Sequence, residues 1–131
     1  MILFQNLKKL NEKYGISVSD EYNDFILRTN MFDYTGKIIK VQNNEYEINH
    51  FLTESDCSSE DLFTWYLLSE PEYKDYLTIA FCIYDEEIAI KVRGADQGKI
   101  VLIIRDTIDE NRISKIIDVS KKFSDFLKMI V

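Results

Sequence analysis

The sequence predicts an α+β domain: two N-terminal helices, an antiparallel sheet of about five or six strands, and a C-terminal helix packed on that sheet. Three observations predict it. Helical spacing dominates both ends of the chain, and three apolar strand patterns follow one another with short turns between 76 and 105. The order helix–helix–strands–helix also differs from the alternating pattern of a parallel sheet. With 131 residues, 46% of them hydrophobic and only 4 Gly and 1 Pro, residues 1–131 read as a single domain able to bury its own core.

Leu3, Leu7, Leu10 and Tyr14 share one helical face, and Gly15 fits a C-terminal cap. Ser19 is placed to cap the second helix. Asp20 and Glu21 follow in its first turn, where the helix dipole favours negative charge. Tyr22, Phe25, Ile26 and Thr29 make its apolar face. Residues 37–41 and 44–52 read as strands around a tight turn at Asn43-Asn44. Ser58 and Asp61 resemble a capping box, Leu62, Phe63, Tyr66 and Leu67 share a helical face, and Pro71 stops that helix.

In strand 76–84, Leu77, Ile79, Phe81 and Ile83 alternate with Ala80, Cys82 and Tyr84, so both faces are apolar and the strand is expected to be central. In strand 87–93, Ile88, Ile90 and Val92 oppose Lys91 and Arg93. The two glycines of Gly94-Ala95-Asp96-Gln97-Gly98 make a turn, and 99–105 is the last strand of a meander. A helix is expected from Asp109 or Ser114 to the end, with Ile113, Ile116, Ile117, Ser120, Phe123, Phe126, Leu127 and Ile130 in helical period.

The net charge of −7 argues against nucleic acid as a partner, because phosphates demand Lys and Arg. It suits a basic protein partner, and it also serves solubility. Cys57 and Cys82 read as free thiols of a reducing compartment. The opening MILFQNLKKLNEKYG lacks the apolar core of a signal peptide, and no stretch approaches the ~20 apolar residues of a membrane span. The expected location is the cytoplasm, without membrane association.

Catalytic chemistry finds little support. His50 is the one histidine, and no zinc spacing exists. A pairing of His50 with Cys57 or Cys82 lacks a supporting motif, and His50 reads as a strand residue that packs or meets solvent. Gly94 and Gly98 lack the lysine and helix start of a phosphate loop. No cofactor and no metal are expected.

Asp85-Glu86-Glu87 is the densest acidic run beside strands. It reads as a solvated turn and, compatibly, as a recognition knob for a basic partner. A second acidic zone, with Glu70 and Glu72, lies beside Trp65 and Tyr66. Trp65 falls off the best apolar face of its helix, a position that suits either a half-buried core residue or a binding hot spot. The candidate partner-binding residues are Trp65, Tyr66, Glu70, Glu72, Asp85, Glu86 and Glu87.

These elements, in this order, resemble the SMI1/KNR4 (SUKH) superfamily. The likeness begins in LNEKYGISVSDEYNDFILRTN at 10–30, where Tyr22, Phe25, Ile26 and Asn30 fit the family's second helix. It resumes at 77–106, with the Gly98-Lys99-Ile100 step into the last strand, and closes in the Phe-x-x-Phe-Leu pattern of FSDFLKMIV at 123–131. Three places depart from the pattern. Ser19 stands for the usual proline, NMFDYTG replaces a glycine pair, and YDEE replaces a glycine-bearing loop. The resemblance implies a bacterial immunity protein, without catalytic residues, that binds and silences a cognate toxin domain, often a nuclease and basic. Eukaryotic relatives imply the alternative of a regulatory or scaffold module. The expected state is a monomer or weak homodimer.

Overall fold

The computed structural model describes Glu12 and residues 15–16, 18–28, 31–52, 73–105 and 114–130. The helices expected over 3–14 and around 58–70 lie outside the described residues, apart from Glu12.

Helix α1 spans Asp20–Arg28. Ser19 caps it: Tyr22 N–H donates to Ser19 Oγ at 3.3 Å, satisfying one of the amides that a helix start leaves open. A 3-10 turn at Met31–Tyr34 leads into six strands. These are β1 (Ile38–Val41), β2 (Asn44–Phe51), β3 (Tyr76–Cys82), β4 (Glu87–Lys91), β5 (Ile100–Arg105) and β6 (Ser114–Ser120). Every neighbouring pair is antiparallel and the strands lie in sequence order, a pure meander. Helix α2 (Phe123–Met129) follows, and Ile130 then bridges back to Ile39 on the outer strand β1.

The β1–β2 turn is one residue earlier than expected. Val41 pairs with Asn44, and Gln42 and Asn43 take φ of +50° and +69°. Two successive left-handed residues match the twist of a two-residue hairpin. The β4–β5 turn uses Gly94 (φ +86°), Asp96 (φ +60°) and Gly98 (φ +94°) as expected.

The segment 114–120 is a strand, not the start of the last helix. Its spacing suits a helix, but Ile116, Ile117 and Val119 are β-branched and fit a pleated surface better. The edge of β5 supplies backbone partners, pairing Leu102 with Ile117 and Ile103 with Ile116.

Both helices cover one face of the sheet. Tyr22, Phe25, Phe51, Phe123 and Phe126 pack there over Ile39, Ile48, Leu77, Ile88, Ile90 and Leu102. The rings meet edge-on or tilted, Tyr22 against Phe123 at 5.3 Å and Phe25 against Phe123 at 5.1 Å between centroids. No side-chain bond from Lys122 caps α2. Instead Glu21, on α1, accepts a bond from Ser124 N–H at 2.9 Å, so one helix caps the other. On the other face Tyr73, Ala89, Val101 and Ile103 form a smaller buried cluster. The middle of the sheet is therefore buried on both sides, as strand β3's pattern implied.

Strand β3 carries a bulge that simple alternation misses. The register with β4 slips between Thr78 and Ala80. One extra residue exchanges the faces beyond it. Ala80 and Cys82 thereby join Leu77 and Ile79 in the main core. Ile83 and Tyr84, which follow, end up 42% and 81% exposed.

Candidate functional site at the acidic end of the sheet

Two turns meet at one end of the sheet. The β1–β2 hairpin presents Glu45, Tyr46 and Glu47 at the start of β2. The β3–β4 turn presents Ile83, Tyr84, Asp85 and Glu86. A backbone bond fixes one against the other, Ile83 N–H donating to Glu47 O at 3.0 Å, and within the second turn Cys82 N–H donates to Glu86 O at 2.8 Å. Asp85 takes φ +68° and donates its own N–H to Cys82 O at 3.0 Å. An aspartate tolerates this left-handed position, so it does the turn-making work of a glycine while adding a charge.

Between the turns lies a pocket of about 170 Å³. Ile38 and Ile83 give it apolar walls, Tyr46 and Tyr84 aromatic ones, and Glu45, Glu47 and Glu86 carboxylates. None of these glutamates, nor Asp85, forms a salt bridge among the described residues. Glu86 is only partly exposed, and its Oε1 is buried without a hydrogen-bond partner. A buried carboxylate oxygen left without a donor is costly, on the order of 1–3 kcal/mol.

The neighbours register that charge. Burial raises the phenol pKa of Tyr46, and the Glu86 carboxylate and then Cys82 raise it further. Burial pushes the Cys82 thiol up to about 12, with Glu86 adding to the shift. A thiol held so far above neutrality is not a nucleophile at physiological pH. Cys82 also lies in the core opposite Ile48, whereas His50 pairs with Phe81 and stacks on it at 5.6 Å. The structure thus does not assemble His50 and Cys82 into a catalytic pair; Cys57 lies outside the described residues. Among the described residues, no three His, Cys, Asp or Glu side chains are grouped to hold a metal.

Of the residues singled out in the sequence, Asp85 and Glu86 belong to this site. Glu87 does not, and its expected place in an exposed turn is corrected. It is in β4, 6% exposed, and accepts a bond from Thr78 Oγ1 at 2.8 Å. Glu86 stands one residue before the strand, partly exposed at the pocket, so the two neighbours have different surroundings. Trp65, Tyr66, Glu70 and Glu72 lie outside the described residues. Sequence reasoning missed Tyr84, Ile83, Tyr46, Glu45 and Glu47. Alternation puts Tyr84 on one face with Cys82, but β3 ends at Cys82 and Tyr84 lies in the turn beyond it, 81% exposed. The carboxylates of β2 were visible, but not that the register of Ile48 with Cys82 sets them beside the acidic turn.

Among the described residues, no helix is long and apolar enough to cross a membrane. No curated protein and no solved structure matches the chain. Residues 3–129, nearly the whole length, match the SMI1/KNR4 family (SUKH-1). The order of helix, antiparallel sheet and Phe-x-x-Phe-Leu helix agrees with that match, and the chain belongs to the SMI1/KNR4 family.

Proposed function

We propose that this protein is an immunity protein: it binds the catalytic domain of a cognate toxin, of the kind deployed in polymorphic or contact-dependent systems, and silences it. Family membership supports this reading, since the SUKH families include immunity proteins. The observation that carries it is the acidic end of the sheet, where carboxylates without cationic partners among the described residues surround an exposed tyrosine. Tyrosine is enriched at binding hot spots, and a surface of one charge speeds encounter with a partner of the other. A nuclease toxin, built to grip phosphates, presents such a basic surface. The protein would act by occupying that surface rather than by turning over a substrate.

The test is co-expression with the C-terminal domain of the protein encoded by the neighbouring upstream gene. The wild-type chain should protect cells and co-purify with the domain. The Asp85→Lys/Glu86→Lys variant should fold and fail to protect. If the wild-type chain neither protects nor co-purifies, the immunity reading is lost, and a regulatory or scaffold module becomes the better account.

A further inference from the structure

We infer that the pocket beside Tyr84 is a socket for one arginine side chain of the partner, the guanidinium donating to Glu86 and lying against the Tyr84 ring. The inference rests on the proposed function only for the idea that the partner is a protein; the socket itself stands on the pocket's chemistry.

Three features choose the occupant. First, Glu86 Oε1 is turned into the protein with no donor of its own, although the residue remains partly open to solvent. That oxygen lies out of a partner's reach, but a cation at the residue's open side would stabilise the under-bonded carboxylate. Second, the charge is all of one sign: Glu45, Glu47 and Glu86 line the pocket, Asp85 adjoins it, and none is ion-paired among the described residues. The donor should therefore be cationic, since charge-assisted bonds are the strongest available. Third, Tyr84 is 81% exposed and Ile83 42%, in contact with the same pocket. An exposed ring beside carboxylates suits a flat, weakly hydrated cation that can stack and hydrogen-bond together. That describes guanidinium better than ammonium. A metal ion is disfavoured, because the described residues offer no group of three ligands.

Among the described residues no lysine closes the pocket. Lys40 stands opposite Glu45 in the β1–β2 register, yet it forms no salt bridge there. A docking arginine would supply the cation that these carboxylates lack among the described residues.

The experiment titrates the isotope-labelled full chain with three short peptides, acetyl-Gly-Arg-Gly-amide and its lysine and citrulline counterparts, following backbone amides by NMR. The arginine peptide should shift the amides of Ile83, Tyr84, Asp85 and Glu86 saturably. Lysine should bind several-fold more weakly, and citrulline, which keeps the shape and loses the charge, should leave the amides unmoved. Glu86→Gln should weaken the arginine peptide about tenfold, the loss of one charge-assisted bond. Tyr84→Ala, a change at an exposed side chain that spares the fold, should weaken it several-fold. Equal binding of lysine or citrulline, indifference to Glu86→Gln, or no saturable shift would overturn the socket. So would calcium ions moving the same amides when the arginine peptide does not. Protection against the toxin without peptide binding would sink the socket and spare the immunity function. Peptide binding without protection would do the reverse.

Discussion

The two ends of this sheet treat charge in opposite ways. Where β3 begins and β4 and β6 end, opposite charges sit in contact. Arg93 Nε donates to Asp75 Oδ1 at 2.7 Å, and Lys99 Nζ lies 3.1 Å from Asp118 Oδ1. The Asp118 bond raises the Lys99 pKa, the mark of a cation that its partner holds. At the other end, Glu45, Glu47, Asp85 and Glu86 gather without such contacts among the described residues. The first end balances its charges internally. The second holds charge in reserve, and that reserve is the physical content of the proposed docking surface. A fold selected for stability alone would gain by pairing both ends.

The largest effect should come from reversing charge at the open end. Asp85→Lys/Glu86→Lys should weaken toxin binding about a hundredfold or more, since a buried interfacial charge pair is commonly worth 2–5 kcal/mol. Reversal at the paired end, Asp75→Lys, should leave binding within about twofold and lower stability by roughly 0.5 kcal/mol, the scale of a half-exposed ion pair. Calorimetric binding and urea unfolding of both variants measure this directly. Equal binding losses at the two ends would erase the contrast.

A sharper version uses two neighbours. Glu86 and Glu87 are adjacent in sequence, but Glu86 lines the pocket while Glu87 is buried in β4. Glu87→Ala should cost about 1–3 kcal/mol of stability, because it removes a buried acceptor and strands the Thr78 hydroxyl. It should not affect binding. Glu86→Gln should do the opposite, weakening binding with little change in the unfolding midpoint. If Glu87→Ala abolished binding at unchanged stability, the open end would be drawn in the wrong place.

This pair also shows how far the sequence could be read. The second helix, the hairpin, the meander of 76–105 and the closing Phe-x-x-Phe-Leu helix were legible, because each rests on local spacing and on turn residues. Phe25, Phe123 and Phe126 were visible as core. What was hidden depends on non-local choices. Strand β6 exists because β5 offers an edge, and its Ile116, Ile117 and Val119 fit either period. The bulge at Ile79-Ala80 leaves no mark in the residues themselves, yet it decides that Ala80 and Cys82 join Leu77 and Ile79 in the main core. The site followed the same rule: Asp85 and Glu86 were readable as an acidic turn, but their neighbours on β2 depend on register.

Alkaline pH should reveal the core beneath the open end. The folded state holds the Cys82 proton up to about 12, whereas the unfolded chain releases it near 9. Above pH 9 the unfolded state therefore binds fewer protons, and stability falls as pH rises towards 12. Tyr22 acts with the same sign, its pKa raised by complete burial from 10. The urea midpoint should be flat to pH 9 and decline beyond it, and Cys82→Ala should flatten the decline. A midpoint that rose over this range would contradict the burial of both groups. Tyr22 adds a second expectation, because its hydroxyl is buried without a hydrogen-bond partner. Tyr22→Phe should be neutral or stabilising by up to about 1 kcal/mol, where removing a satisfied hydroxyl would destabilise.

The smallest effect tests whether the open end is held against stability. Glu45→Gln/Glu47→Gln removes two like charges from exposed positions beside Glu86. Like charges at such distances repel by a few tenths of a kcal/mol in solvent. The double variant should therefore be more stable by about that amount at low salt, with the gain vanishing as salt screens the repulsion. The same variant should associate with the toxin several-fold more slowly, because the attracting field is reduced. At the paired end neutralisation has the other sign: Asp118→Asn should destabilise slightly, since it removes the anion that Lys99 holds. Opposite signs for one kind of substitution, read in the same urea titration, would show that the carboxylates of the first end are kept for the partner.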